Sequence, residues 1–323
     1  MSEEYQREPL PPFLAPYEPY PRLTVIERYN ISPILFAALS LLFVFILYQM
    51  VGGVLTFLLF GLRPGATEAA GFRLVTGLGQ VFLIFIPTLL LVRLVTFEPA
   101  KHFRVKVPDI RLIGLTLIGI FSLQQVLQII IVFQDKIPLP RSIERLIEPL
   151  KEAIEELMKT IVGATTIPEL LFVVLIVALI PAICEEFLFR GLVQPLFEKS
   201  YGSWKGIVIT GTIFGLYHLN PFELIPLAML GIYLGFLTMR AGSIWVSVVA
   251  HFFNNALACV ALYLHLDDDA VVTGSSGSMT TFQLLLTALV CGAIFLLSTY
   301  YFLLLTKKAP EGTDRLNPGS AAL

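Results

Sequence analysis

The run LLFVVLIVALIPAIC at residues 170–184 carries no charge and leads directly into EEFLFR at residues 185–190. Apolar residues resume after the two acids and continue to Phe197, so the whole run exceeds the roughly 20 residues that cross the hydrocarbon core of a bilayer. We therefore predict a membrane-spanning helix that carries ionisable side chains within it.

The rest of the chain has the same apolar character. Of its 323 residues, 56% are hydrophobic and 14% are charged, and the mean hydropathy is +0.80, so an extended soluble domain is excluded. The net charge of −2 gives no basic excess, and nucleic acid is not expected as a partner. Uncharged or nearly uncharged runs occupy residues 29–62, 74–92, 112–134, 170–197, 206–222, 224–239, 241–266 and 270–306. These runs predict an all-α polytopic transmembrane helix bundle of about eight spans.

The segments outside the spans are short. Several prolines in residues 1–30 exclude a helix, so this segment is predicted to be a flexible N-terminal tail. Residues 31–306 form the predicted bundle, and residues 307–323 form a C-terminal tail. Between the third and fourth runs, residues 143–158 separate apolar and charged side chains at helical spacing. This pattern predicts one amphipathic helix that lies on the membrane surface or packs over the bundle as a lid or spacer.

The distribution of Lys and Arg predicts the orientation of the bundle. With the N-terminus in the cytoplasm and eight spans, 15 of the 22 basic residues fall on the cytoplasmic side and 7 on the outer side. Asp267, Asp268 and Asp269, which have no basic neighbour, fit the outer side of the last loop. We therefore expect an integral protein of the plasma (inner) membrane with both termini in the cytoplasm.

Ionisable side chains at bilayer depth need a partner, a water-filled cavity or a function. On a helix, Glu186 and Arg190 are four residues apart and share a face, so they are expected to pair. Glu185 points about 100° away from this pair and is the carboxylate left for chemistry. The alternative is that all three side chains form an ion-paired helix end at the membrane surface.

Two further polar groups interrupt later spans. His218 follows Phe214 by one helical turn, so the two rings can pack together, and His251 and Asn255 share a face in the same way. Each of these residues, taken alone, is compatible with an interior hydrogen bond that joins two helices. An unpaired glutamate, two histidines and an asparagine on three spans together suggest hydrolysis, because water activation needs a base and an oxyanion needs donors.

At these residues the sequence resembles the CAAX prenyl protease type II and bacteriocin-processing (CPBP, or ABI) family of intramembrane endopeptidases. The family pattern appears in order as Glu185-Glu186-x-x-x-Arg190, Phe214-x-x-x-His218 and His251-x-x-x-Asn255. The resemblance covers about residues 168–266, which form the predicted catalytic core, and each motif alone is loose whereas three in order are specific.

The resemblance implies a helical bundle with a cavity in the membrane and hydrolysis of a peptide bond near the C-terminus or membrane-proximal part of a substrate. It implies that Glu185 activates water, that His218 orients this water, and that His251 with Asn255 stabilises the oxyanion. The neighbouring acid–arginine pair would give electrostatic support. A protein or peptide substrate would enter from the membrane or from the cytoplasmic side, and the lipid bilayer is the other expected partner.

Metal dependence and function class each leave an alternative open. We expect no cofactor, but Glu185, His218 and His251 are a set that could bind zinc with an open position. Intramembrane Glu and His also serve transporters and proton relays, although no inverted repeat is visible in the sequence. A third alternative is a non-enzymatic immunity or scaffold membrane protein, against which the intact motifs argue.

Overall fold

The computed structural model describes residues 22–61, 64–65, 67–265 and 280–307, and within these ranges it contains helices and no strand. The helices are α1 (Val25–Arg28), α2 (Pro33–Phe60), α3 (Ala69–Val95), α4 (Pro99–His102), α5 (Ile110–Asp135), α6 (Arg141–Val162), α7 (Ile167–Tyr201), α8 (Ser203–Tyr217), α9 (Leu224–Ala241), α10 (Ile244–Tyr263) and α11 (Thr281–Leu305). The predicted all-α polytopic bundle is therefore confirmed.

Seven of these helices, α2, α3, α5, α7, α9, α10 and α11, are long and apolar enough to cross a membrane. The predicted run 206–222 forms α8, whose 15 residues correspond to roughly 22 Å and fall short of the hydrocarbon thickness. The outer faces of the long helices expose large apolar side chains, such as Leu58 at 72% and Leu289 at 70%. Such faces suit contact with lipid, so the chain is an integral membrane protein.

Two long helices, α3 and α7, contain three π-helical segments that each lie just before a proline. The segments Val81–Phe85 in α3, Val174–Leu179 and Phe187–Val193 in α7 precede Pro87, Pro181 and Pro195, each by two residues. Proline has no N–H to donate and its ring crowds the preceding turn, so the helix locally changes its hydrogen-bond spacing. The last of these segments begins directly after Glu186 and contains Arg190.

The prediction that residues 1–30 hold no helix is wrong at α1. The prolines end at Pro21, and Thr24 and Glu27 then form a reciprocal capping box around one helical turn. Ile26 is buried against the bundle, so this short turn is part of the core. Residues 1–21, the acids 267–269 and most of the C-terminal tail lie outside the described residues.

Close approach of α8 and α9 positions the end of α8. Gly211 and Gly231 contact each other across this pair, and a methyl group on Gly215 would lie 2.8 Å from the backbone nitrogen of Ala228. Small residues let helix backbones approach closely in membranes, where tight packing drives association. The short helix is therefore held against α9, and its last turn leads into His218.

The predicted amphipathic helix is present as α6. Its C-terminal residues Met158 and Ile161 line an internal cavity, while Leu146 and Leu150 nearer its start are exposed. Buried Arg73 of α3 holds the end of α6 by donating to the carbonyl groups of residues 160, 161 and 163, and it also pairs with the residue 169 carboxylate at 2.8 Å. The helix thus packs over the bundle at one end and presents an apolar face at the other.

Candidate active site

The predicted pair of Glu186 and Arg190 is present in α7. Arg190 Nη1 donates to Glu186 Oε1 at 2.8 Å, and both side chains are fully buried. The guanidinium also donates to the Gly231 carbonyl at 2.9 Å and lies 4.5 Å from the Phe214 ring centroid. These contacts join α7 to α8 and α9 and balance the charge of one of the two adjacent acids.

His251 joins the same network from α10. Its Nδ1 lies 2.9 Å from Glu186 Oε1, and its ring packs edge-on against Phe214 at 5.8 Å. A carboxylate only accepts, so Nδ1 carries the proton and donates to it. The sequence did not indicate this contact, which fixes the His251 ring and leaves its Nε2 as the atom available for chemistry.

Glu185 is separate from this network, as the helical geometry predicts. Its Oε2 is buried and has no hydrogen-bond partner within the described part of the chain. His218 Nε2 lies 3.8 Å from Glu185 Oε2, beyond direct hydrogen-bond distance. His218 Nδ1 donates to the Phe214 carbonyl at 2.7 Å, and the two rings pack at 4.6 Å as predicted. With Nδ1–H donated to a carbonyl, the neutral tautomer of this ring has its unprotonated Nε2 facing Glu185.

Asn255 lies one turn beyond His251 on α10. Its Nδ2 donates to the Val177 carbonyl at 3.3 Å, and its Oδ1 accepts from Asn254 Nδ2 at 3.1 Å. These bonds orient the amide and use one of its two N–H groups. The second N–H remains available to a ligand.

A cavity of about 560 Å³ brings the candidate residues together. Glu185, His218, His251 and Asn255 all line it, whereas the paired Glu186 and Arg190 lie behind its wall. Four of the six predicted site residues thus face one space, and the other two hold the ring of His251 and the fold around it.

The sequence reasoning missed Glu223, which also lines the cavity. This residue lies between α8 and α9, five positions after His218, and Asn220 accepts a hydrogen bond from the Phe222 N–H in the same turn. Neighbouring atoms displace water from the Glu223 carboxyl and raise its pKa above the ordinary value, while His218 and Asn220 act in the opposite direction. The sequence feature that could have indicated Glu223 is its position as an acid in a turn between two apolar runs.

The zinc alternative, with Glu185, His218 and His251 as ligands, stays a prediction. Within the ranges that the structure describes, no group of three or more His, Cys, Asp and Glu side chains is arranged to hold a metal ion. Glu186 and the Phe214 carbonyl engage the Nδ1 atoms of His251 and His218, so only their Nε2 atoms remain for ligation.

Comparison with known proteins identifies the region that carries these residues. The sequence model of the family described as Type II CAAX prenyl endopeptidase Rce1-like matches residues 167–257, which include α7, α8, α9 and most of α10. No curated protein and no solved structure matches the chain. The matched region contains all six predicted site residues. The chain therefore carries, over residues 167–257, a region that matches the Type II CAAX prenyl endopeptidase Rce1-like family.

Proposed function

We propose that the protein is an intramembrane endopeptidase that hydrolyses a peptide bond near the C-terminus or membrane-proximal part of a protein or peptide substrate. The observation that carries this proposal is the unpartnered Glu185 Oε2, which lies 3.8 Å from His218 Nε2 at the wall of the cavity. Two acceptors at this separation suit a single water that donates one proton to each of them.

In this arrangement, water is both oriented and activated. One water O–H points to Glu185 and the other to His218 Nε2, so a lone pair of the oxygen is free to attack a carbonyl carbon. Glu185 takes the proton as the C–O bond forms, and it then gives this proton to the leaving amide nitrogen as the C–N bond breaks.

The developing oxyanion needs donors on the opposite side of the carbonyl. The second N–H of Asn255 is one, and Nε2–H of His251 is the other when the ring carries both protons. Glu186 supports the charged ring because it accepts from Nδ1 at 2.9 Å. We propose that the fully buried Glu186–Arg190 pair acts by holding this histidine in place and makes no contact with substrate.

An apolar groove supports substrate access from the bilayer. A second cavity of about 640 Å³ lies between α2 and α3, and residues such as Leu55, Phe57 and Phe82 line it. It shares wall residues with the catalytic cavity, among them Tyr48 and Thr76. We propose that a substrate held in the membrane enters through this second cavity on its way to Glu185.

The proposed activity can be tested without knowing the substrate. Membranes that contain the wild-type protein or Glu185→Ala would be compared by quantitative C-terminal proteomics. New C-termini that appear only with the wild type would identify cleaved partners. Identical C-termini in the two samples would contradict the proposal.

We further propose that the hydrolysis needs no metal. Activity should then persist after exhaustive chelation, the purified protein should hold substoichiometric zinc, and His251→Ala should slow turnover because an oxyanion donor is lost. Elemental analysis of the wild type and of Glu185→Ala, His218→Ala and His251→Ala checks this. Stoichiometric zinc that disappears in these three variants, with restoration of the chelated enzyme by added zinc, would establish the zinc alternative.

Both termini are proposed to lie in the cytoplasm, which requires the short α8 to cross the membrane in addition to the seven longer helices. Arg190 and Arg73 are buried and do not act as loop charges, but removing one charge from each side leaves the basic excess on the cytoplasmic side. Reporters fused at the N-terminus and after Lys308 should report the same side, and a reporter after Asp269 the opposite one. Opposite sides for the two termini would mean that α8 does not span the membrane.

A further inference from the structure

The first half of the chain contributes amide side chains to the catalytic cavity. Gln49 of α2, Gln80 of α3, and Gln124 and Gln128 of α5 all line it. None of these helices belongs to the matched residues 167–257. The Rce1-like domain thus supplies the candidate chemistry, while three other spans supply an amide-lined part of the wall.

Two of these amides end in an oxygen without a partner. Gln80 Oε1 and Gln124 Oε1 are buried and accept no hydrogen bond within the described residues. The Gln80 amide nitrogen makes only a long contact of 3.4 Å to the Tyr48 hydroxyl. Unpaired polar atoms are costly at bilayer depth, so residues kept there for packing alone would be expected to pair with neighbouring helices. Gln134 and Gln194 also have an unpartnered oxygen, but they do not line the cavity.

The spacing of the amides matches that of an extended peptide. Gln124 and Gln128 lie one helical turn apart, about 6 Å along α5. Along one edge of an extended strand, backbone N–H and C=O groups recur every two residues, about 6.8 Å. A side-chain amide offers one acceptor and one donor group, as a backbone peptide does.

We propose that Gln80, Gln124 and Gln128 bind the backbone of the substrate and hold it as an extended strand in the cavity that contains Glu185. This inference rests on the proposed peptidase function and defines its substrate class further. The bound segment is extended and not helical, because the backbone N–H groups of a helix are already paired and cannot reach these oxygens. The enzyme would then select substrates by the ability of a segment to unwind. The particular side chains of that segment would matter less.

The test uses the full-length protein reconstituted in phosphatidylcholine vesicles. The probe is a library of random-sequence peptides, each with an N-terminal acyl chain, and mass spectrometry identifies those that are cleaved. The best-cleaved peptides are then made with the ordinary backbone and with a single N-methyl group at each position in turn. N-methylation removes one backbone donor while it leaves the side chain intact.

For the wild type, we expect N-methylation to slow cleavage at positions two residues apart. Gln124→Met, which is close in size and has no amide, should raise KM for the ordinary peptide by about 2- to 10-fold with little change in kcat. At the position that pairs with Gln124, N-methylation should add no further loss in this variant, because the bond is already absent. Gln125→Met is the matched control, since Gln125 is the next residue of α5 and does not line the cavity.

Three other outcomes would contradict either the backbone-binding role or the peptidase function. Wild-type KM and an unchanged N-methyl profile in both Gln80→Met and Gln124→Met would overturn the backbone-binding role while the peptidase function stands. A loss confined to kcat, with the N-methyl profile unchanged, would assign these amides to ordering water and would also overturn it. No cleavage of any library member by the wild type would count against the proposed peptidase function itself, and this inference would fail with it.

Discussion

Glu185→Gln should give a folded protein that has lost its peptidase activity by at least about 10²- to 10⁴-fold. Glutamine has nearly the same shape as glutamate but cannot take a proton from water at neutral pH. The Glu185 carboxylate is outside the buried ion-pair network, and its Oε2 has no partner to lose. The folded state therefore depends little on its charge.

Cleavage of a substrate identified by C-terminal proteomics would be measured for purified wild type and Glu185→Gln, together with thermal denaturation and size-exclusion profiles. An inactive variant with wild-type denaturation and a monodisperse profile is the expected result. If Glu185→Gln retains near wild-type cleavage, Glu185 is not the base. If cleavage is undetectable in both proteins, the alternative of a non-enzymatic scaffold gains support.

The same variant separates the peptidase from a proton relay. A relay through Glu185 would show a proton flux that Glu185→Gln abolishes, with no new C-termini in either sample. The Rce1-like match over residues 167–257 already favours hydrolysis of a peptide bond. The measurement of proton flux tests directly whether the protein is a peptidase or a proton relay.

Most of the fold could be predicted because hydropathy alone reports on contact with lipid. Long uncharged runs located the spans, and the apolar continuation after Glu186 correctly joined residues 170–197 into the single helix α7. The run 206–222 was harder to interpret, since α8 is shorter than a bilayer and is held by glycine contacts with α9. Hydropathy carries no information about such close backbone approach. The π-helical turns of α3 and α7 depend on proline position and were not predicted.

Local spacing predicted part of the candidate site. The pairing of Glu186 with Arg190 and the packing of Phe214 on His218 follow from the period of a helix, and both are present. The contact of His251 with Glu186 joins residues 65 positions apart on different helices. No periodic pattern encodes such a contact, because the packing of α10 against α7 creates it.

The glutamines of the cavity wall have a spacing in the sequence that could have indicated a role in the site. Gln124 and Gln128 are one turn apart within an apolar run, which is the same spacing that drew attention to His251 and Asn255. A buried amide is a weaker indication of function than a buried ionisable group, because its burial costs less free energy. Only the cavity showed that they share a space with Glu185.

Glu186→Gln should damage folding, in contrast to the same substitution at Glu185. Glu186 and Arg190 are 0% exposed and 2.8 Å apart, and His251 also donates to Glu186 at 2.9 Å. Neutral glutamine keeps an oxygen for one hydrogen bond but leaves the guanidinium without a compensating charge inside the bundle. Removal of one partner from a buried ion pair typically costs about 3–5 kcal/mol, a large fraction of the stability of a protein.

Glu185 and Glu186 are adjacent on the same helix, so the same substitution at Glu185 is a close control for Glu186→Gln. The yield of monodisperse protein and the midpoint of thermal denaturation should fall in Glu186→Gln and not in Glu185→Gln. The double variant Glu186→Gln with Arg190→Met removes both charges, so it should recover much of the lost stability while it stays impaired in cleavage, since His251 is no longer held by a carboxylate. Equal stability of the two single variants would show that the buried guanidinium does not depend on Glu186 and would withdraw the division of these acids into one for folding and one for chemistry.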